Sequence, residues 1–141
     1  MPMRVAGLIG GVSWASTIEY YRIINVRVNE ALGGIHSAKC IIYSVDLGEL
    51  KEYQDAGDWR SVAAALSEAA RRLEAAGAEA IAICANTMHR AAEEVEEAVS
   101  IPLIHIGDVT AKKVLEREVG IVGLLGTRFT MEEDFLKKRL R

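Results

Sequence analysis

Cysteine is scarce in this chain. Cys40 and Cys84 are the two present, they form no C-x-x-C pair, and no two histidines stand four residues apart. A zinc site and a redox dithiol therefore both lack their usual spacing. Each cysteine lies in an apolar run, where a free thiol behaves as a small buried hydrophobe. Charge of one sign is also missing: 17 basic residues face 20 acidic ones, a net −3. The lysines and arginines are scattered rather than gathered into a stripe, which argues against a nucleic-acid partner. No apolar run approaches the roughly 18 residues of a membrane span, and Met1-Pro2-Met3-Arg4-Val5 leads straight into a strand candidate. A cytoplasmic protein with small-molecule or protein partners is expected. Gly7, Gly10 and Gly11 do not make G-x-G-x-x-G, and no lysine follows in P-loop spacing, so a nucleotide site is not signalled.

What is present is ordinary in amount and informative in order. Half of the 141 residues are apolar and 26 % are charged, as in soluble globular domains. A chain of this length buries roughly 68 % of its unfolded surface, enough for a core. Val5 to Ile9 is a short apolar run closed by Gly10-Gly11. Ile18, Tyr21, Ile24, Val28 and Leu32 then recur at helical spacing up to Gly33-Gly34. Cys40 to Val45 is a second strand candidate. Past Asp58, an N-cap candidate, Trp59, Val62, Leu66, Ala69 and Leu73 mark a helix that stops at Gly77.

Ala80 to Cys84 reads as a third strand and Thr87 to Ala98 as a third helix, with Glu93, Glu94, Glu96 and Glu97 on its solvated face. Leu103 to Ile106 follows Pro102 as a fourth strand. Asp108 then caps a helix through Val114 and Leu115, Val119 to Leu125 makes a fifth strand, and Thr130 to Leu140 a last helix. Strands apolar throughout and alternating with helices predict a doubly wound α/β fold on a parallel sheet. Ligands bind such sheets at the carboxyl ends of the strands. That rule selects Gly10 to Ser13, Asp46, Asn86-Thr87 and Gly126 to Thr130 as one rim.

The opening Gly7-Leu8-Ile9-Gly10 recurs as Gly123-Leu124-Leu125-Gly126, an offset of 116 residues. Read as a duplication, it makes residues 1–117 a first α/β unit and 118–141 the first strand and helix of a second, incomplete one. Read without duplication, the last strand and helix complete a five-stranded domain.

Gly10-Gly11-Val12-Ser13-Trp14-Ala15-Ser16-Thr17 with Tyr20-Tyr21 resembles the opening of the aspartate/glutamate racemases, in the Asp/Glu/hydantoin racemase superfamily. Tyr43-Ser44-Val45-Asp46, Gly57-Asp58-Trp59, Asn86-Thr87-Met88-His89 and Leu124-Leu125-Gly126-Thr127-Arg128-Phe129-Thr130-Met131 fall in that family's order, so the resemblance spans essentially the whole chain. It implies two similar α/β units facing each other across one site, usually in a homodimer, and an amino acid or small dicarboxylate as substrate. One thiolate removes the α-proton and an opposite thiol returns it, without pyridoxal phosphate, metal or other cofactor. Members are longer than this chain, so the resemblance also implies a truncated second unit and a chain inactive by itself.

The chemistry accounts for the residue types. An α-proton is very weakly acidic, so the base must be strong and the carbanion's charge must spread into a firmly held carboxylate. Asn86 and Thr87, at a strand-to-helix junction, can present donors to that carboxylate, with Gly11, Ser13, Thr127 and Thr130 adding others. Asn86, Thr87 and Ser13 can equally be helix caps, and Asp46 either caps the next segment or binds an amino group. His89, in the first helical turn, is expected to brace that turn rather than take part in chemistry. In many members the first thiol stands immediately before Asn-Thr, a position held here by Ala85. Cys84, the catalytic candidate, is one residue earlier, and successive strand side chains point to opposite faces, so it is expected beside the sheet unless a bulge turns it inward. Some relatives keep the second cysteine alone, and a decarboxylase branch works with one thiol. A decarboxylase or isomerase of a small dicarboxylate, or a binding or assembly module without chemistry, are the alternatives.

Overall fold

In the computed structural model, which describes residues 2–141, three strands form one parallel sheet: β1 (Ala6–Gly10), β2 (Cys40–Ser44) and β3 (Ala80–Ile83), in the order β2-β1-β3. Ala6 faces Cys40 on one side and Ala80 on the other, and the register runs without slip to Gly10 opposite Ser44 and Ile9 opposite Ile83. Seven α-helices surround the sheet among the described residues: α1 (Trp14–Leu32), α2 (Leu47–Asp55), α3 (Trp59–Ala75), α4 (Ala92–Ala98), α5 (Ile106–Glu116), α6 (Arg128–Glu132) and α7 (Asp134–Leu140). A single 3₁₀ turn, Thr87–Ala91, sits between β3 and α4. No helix of the described residues is long and apolar enough to cross a membrane.

The two-residue period of the strands sorts side chains between two layers. Ile9, Ile81 and Ile83 join Val62, Leu66, Ala69, Ala70 and Leu73 of α3 in the main core. Asp58 starts that helix by accepting from the Ser61 amide at 3.0 Å, and Gly77 follows it at φ +98°, a conformation suited to glycine. Gly10 faces the other layer, where a Cβ would lie 2.6 Å from the Thr17 methyl of α1. That closeness lets α1 begin directly above the end of β1. The helical periodicity of α1 is as expected, but its apolar row is not covered: Trp14 is 71 % exposed, with Ile18, Tyr21 and Leu32 also exposed.

Several expected elements differ. Val119 to Leu125 is irregular chain rather than a fifth strand, with Ile121 and Leu125 exposed. A strand needs a neighbour for its backbone groups, and none of the described strands lies alongside. The fourth strand shrinks to one bridge between Leu103 and Ile81. Pro102 lends its carbonyl to Ile81 at 2.9 Å but has no N–H to give, and His105 already turns the chain into α5 as its N-cap. Asp108 lies inside the first turn of that helix, not at its cap. The third helix divides at Ala91, and the last divides at Glu133, whose ψ of 165° is extended. Helix α2 was not expected; Asp46 starts it and Leu50 anchors it in the core.

Candidate active site

A cleft of about 550 Å³ opens at the carboxyl ends of β1 and β3. Four segments wall it: the start of α1, the β3 end running into the 3₁₀ turn, the loop and first turn of α6, and one face of α2. Of the residues the sequence selects, Ser13, Cys84, Asn86, Thr87, Thr127 and Thr130 all line it, together with Ala85.

Ser13 precedes α1 without making a side-chain cap bond, and its carbonyl carries the local hydrogen bonds instead, accepting from the Thr17 amide at 3.2 Å and the Thr17 hydroxyl at 3.1 Å. Its own hydroxyl is left to the cleft. Asn86 likewise makes no cap bond; its backbone is already helical at φ −69°, ψ −51°. Thr87 and Thr127 join hydroxyl to hydroxyl at 2.8 Å, tying the 3₁₀ turn to the opposite wall. Thr127 also caps α6, its hydroxyl accepting from the Thr130 amide at 3.3 Å, and buried Thr130 lies 3.2 Å from it.

Gly11 and Asp46 serve other ends. The Gly11 N–H donates to Thr17 Oγ1 at 3.0 Å, at φ +80°, and a Cβ there would lie 2.1 Å from the Val45 carbonyl oxygen. Asp46 accepts from the Gly48 amide at 2.9 Å as the cap of α2. Neither lines the cleft.

Cys84 forms part of the cleft floor on the α1 side of the sheet, with 0 % exposure. Its carbonyl accepts from Ser16 Oγ at 3.1 Å, and its thiol is pushed up to about 12 by burial. Tyr20 above it is raised first by burial and then by the Cys84 sulfur. A sulfur in this setting is a neutral thiol at physiological pH. The half-buried Ala85 offers no proton-transfer group, and its carbonyl accepts from His89 Nδ1 at 2.8 Å.

Ser16, Tyr20, Lys51 and Gln54 line the cleft without having been selected. Ser16 and Tyr20, four residues apart on α1, share one face next to Ser13, a signal the sequence carried. Lys51 and Gln54 depend on α2, where Lys51 pairs with Asp55 one turn on.

A model of the Asp/Glu/hydantoin racemase family matches residues 9–141. The chain is 34 % identical over 77 residues to the broad specificity amino-acid racemase RacX of Bacillus subtilis (strain 168), a match covering 55 % of this chain and 34 % of RacX. Among solved structures it superposes on a chain from Yersinia pestis assigned to the Asp/Glu racemases, with TM-score 0.93 and 52 % identity over 98 % of this chain and 60 % of that one. An aspartate racemase homologue from Pyrococcus horikoshii OT3 gives 0.83 and 37 % with the same coverage. The chain thus spans about a third of the curated relative and three fifths of each solved chain.

Proposed function

The chain belongs to the Asp/Glu/hydantoin racemase family, and on that premise we propose that it builds the carboxylate-holding wall of an amino-acid racemase. The substrate is aspartate, glutamate or a related amino acid, inverted without pyridoxal phosphate or metal, in a homodimer. One observation carries the reading: Ser13, Asn86, Thr87 and Thr127 converge on one cleft at the strand ends, over a floor that includes Cys84. Hydroxyl and amide donors grouped in this way stabilise a carboxylate and the charge that spreads into it once the α-proton leaves.

We infer that this wall supplies no ready base by itself. A thiol at about 12 is ionised at pH 7 to a fraction on the order of 10⁻⁵, and Ala85 has nothing to ionise. The racemase reading therefore needs a thiolate from a second wall, with residues 1–117 as one unit and 118–141 as the start of another. A decarboxylase or isomerase of a small dicarboxylate is favoured by one feature, the alanine at position 85, because such chemistry needs one thiol only.

Titrating the ¹⁵N-labelled chain with L-aspartate, L-glutamate and malonate tests the wall. Saturable shifts at Asn86, Thr87, Thr127 and Thr130 are expected, with no α-deuteration of either amino acid in heavy water. Shifts confined elsewhere would overturn the wall, and α-deuteration by this chain would place the base within it. In a protein supplying both walls, optical inversion without release of carbon dioxide marks the racemase; the reverse marks the decarboxylase.

A further inference from the structure

Resting on the wall just proposed, we propose that His89 is a positioning residue: a neutral imidazole in the Nδ1–H form that fixes the Ala85–Asn86–Thr87 turn to α5, with His105 as its partner. His89 and His105 are both 2 % exposed and meet edge to face, ring centroids 4.5 Å apart.

The hydrogen bonds fix the protons. His89 Nδ1 lies 2.8 Å from the Ala85 carbonyl oxygen, which only accepts, so Nδ1 carries the hydrogen. His89 Nε2 then holds a lone pair and accepts from the Ile106 amide at 3.3 Å. His105 has the opposite form: its Nδ1 accepts from the Gly107 amide at 3.0 Å, leaving the hydrogen on Nε2. Two imidazoles thus satisfy two of the first amides of α5, groups every helix must place somewhere. One of them simultaneously holds the carbonyl just ahead of Asn86. The same bond explains the 3₁₀ turn, since the Ala85 carbonyl engages the His89 ring while the His89 amide turns to Asn86 at 3.1 Å.

Neither ring can accept a proton without losing an amide. Arg139 of α7 and Asp108 of α5 face the pair, joined to each other at 2.8 Å. Arg90 of the 3₁₀ turn, Glu93 and Glu94 of α4, and Asp134 and Lys138 of α7 line the shallow cavity beside it. Burial is the leading influence on both rings and holds them neutral, and Arg139 opposes their protonation as well. His89 consequently orients the donors and does not exchange protons with a substrate.

Long-range ¹H–¹⁵N spectra of the labelled chain at neutral pH test this without ligand. His89 is expected as Nδ1–H and His105 as Nε2–H; a His89 proton on Nε2 overturns the proposal. Two variants separate positioning from bulk. His89→Asn keeps a donor near Nδ1 and is expected to preserve the Asn86 and Thr87 shifts and malonate affinity. His89→Gln places its amide near Nε2, and is expected to move those shifts and weaken malonate about fivefold, the worth of one net hydrogen bond. Unchanged shifts and affinity in His89→Gln would refute it. If the unaltered chain binds no malonate, the carboxylate wall fails, while the proton positions and the Asn86 and Thr87 shifts still decide the role of His89. If His89→Gln does not fold, the spectra of the unaltered chain decide alone.

Discussion

Mild acid should loosen this protein, and the loss should trace to His105. Its folded value is lowered to about 4, first by burial, then by His89 and Arg139, against about 6.5 for an unfolded histidine. The folded chain therefore refuses a proton that the unfolded chain accepts. Stability is complete above about pH 6.5 and falls as pH drops toward 4. The full difference is about 3 kcal/mol, of which about 2 kcal/mol is gone by pH 5. His89 is lowered in the same direction and adds to the loss. The window is clean, because the lowered carboxylates, Glu19, Asp58, Glu68 and Glu74, start from 4.5 or 3.8 and lose their contribution only below that range. Urea unfolding at pH 7.5 and pH 5 measures it. His105→Asn is the control: asparagine caps helices well and can accept from the Gly107 amide without titrating. That variant should match the parent within about 1 kcal/mol at pH 7.5 and lose much less at pH 5. Equal losses in both proteins would refute the assignment of the acid sensitivity to this ring.

Two further outcomes follow from the cleft. In the native chain a thiol reagent at pH 8 should modify half-exposed Cys40 and reach Cys84 only after unfolding, since the latter is fully buried and held near 12; equal native rates would show an accessible Cys84. Thr127→Val removes both the hydroxyl bridge to Thr87 and the α6 cap. It should weaken carboxylate binding and speed amide exchange in residues 128–132, by about 0.5–2 kcal/mol of local stability, with the exchange of β1 unchanged. Slowed or unaltered exchange there would contradict the bridge.

The sheet was legible because β1, β2 and β3 are short, mainly apolar runs, with glycine or small polar residues at or within three positions of each end. Val119 to Leu125 is just as apolar, yet a strand is a property of a pair, and one segment's composition does not tell whether a neighbour lies beside it. Ser13, Asn86, Thr87 and the run from Gly126 to Thr130 followed from the rule that ligands bind at strand ends. The rule also selected Gly11 and Asp46, because position along a chain does not reveal that an amide is already given to Thr17 or a carboxylate to Gly48. Lys51 and Gln54 were invisible for want of α2, whose few apolar residues set no clear period. For Cys84 the two-residue repeat gave the burial opposite Ile83, but strand parity alone did not reveal that the residue also lines the cleft.

The wall from Gly126 to Glu133 is attached by side chains, with none of its backbone paired to the sheet. Thr127 reaches Thr87, Phe129 meets Trp59 at 5.1 Å, and Arg90 stacks 4.1 Å from the Trp59 ring while pairing with Glu133 at 2.7 Å. Residues 126–133 can therefore open as a unit: breaking the Thr127 bridge or the Phe129 contact with Trp59 frees this wall while β1 keeps its pairing with β3 and α3 its place in the core.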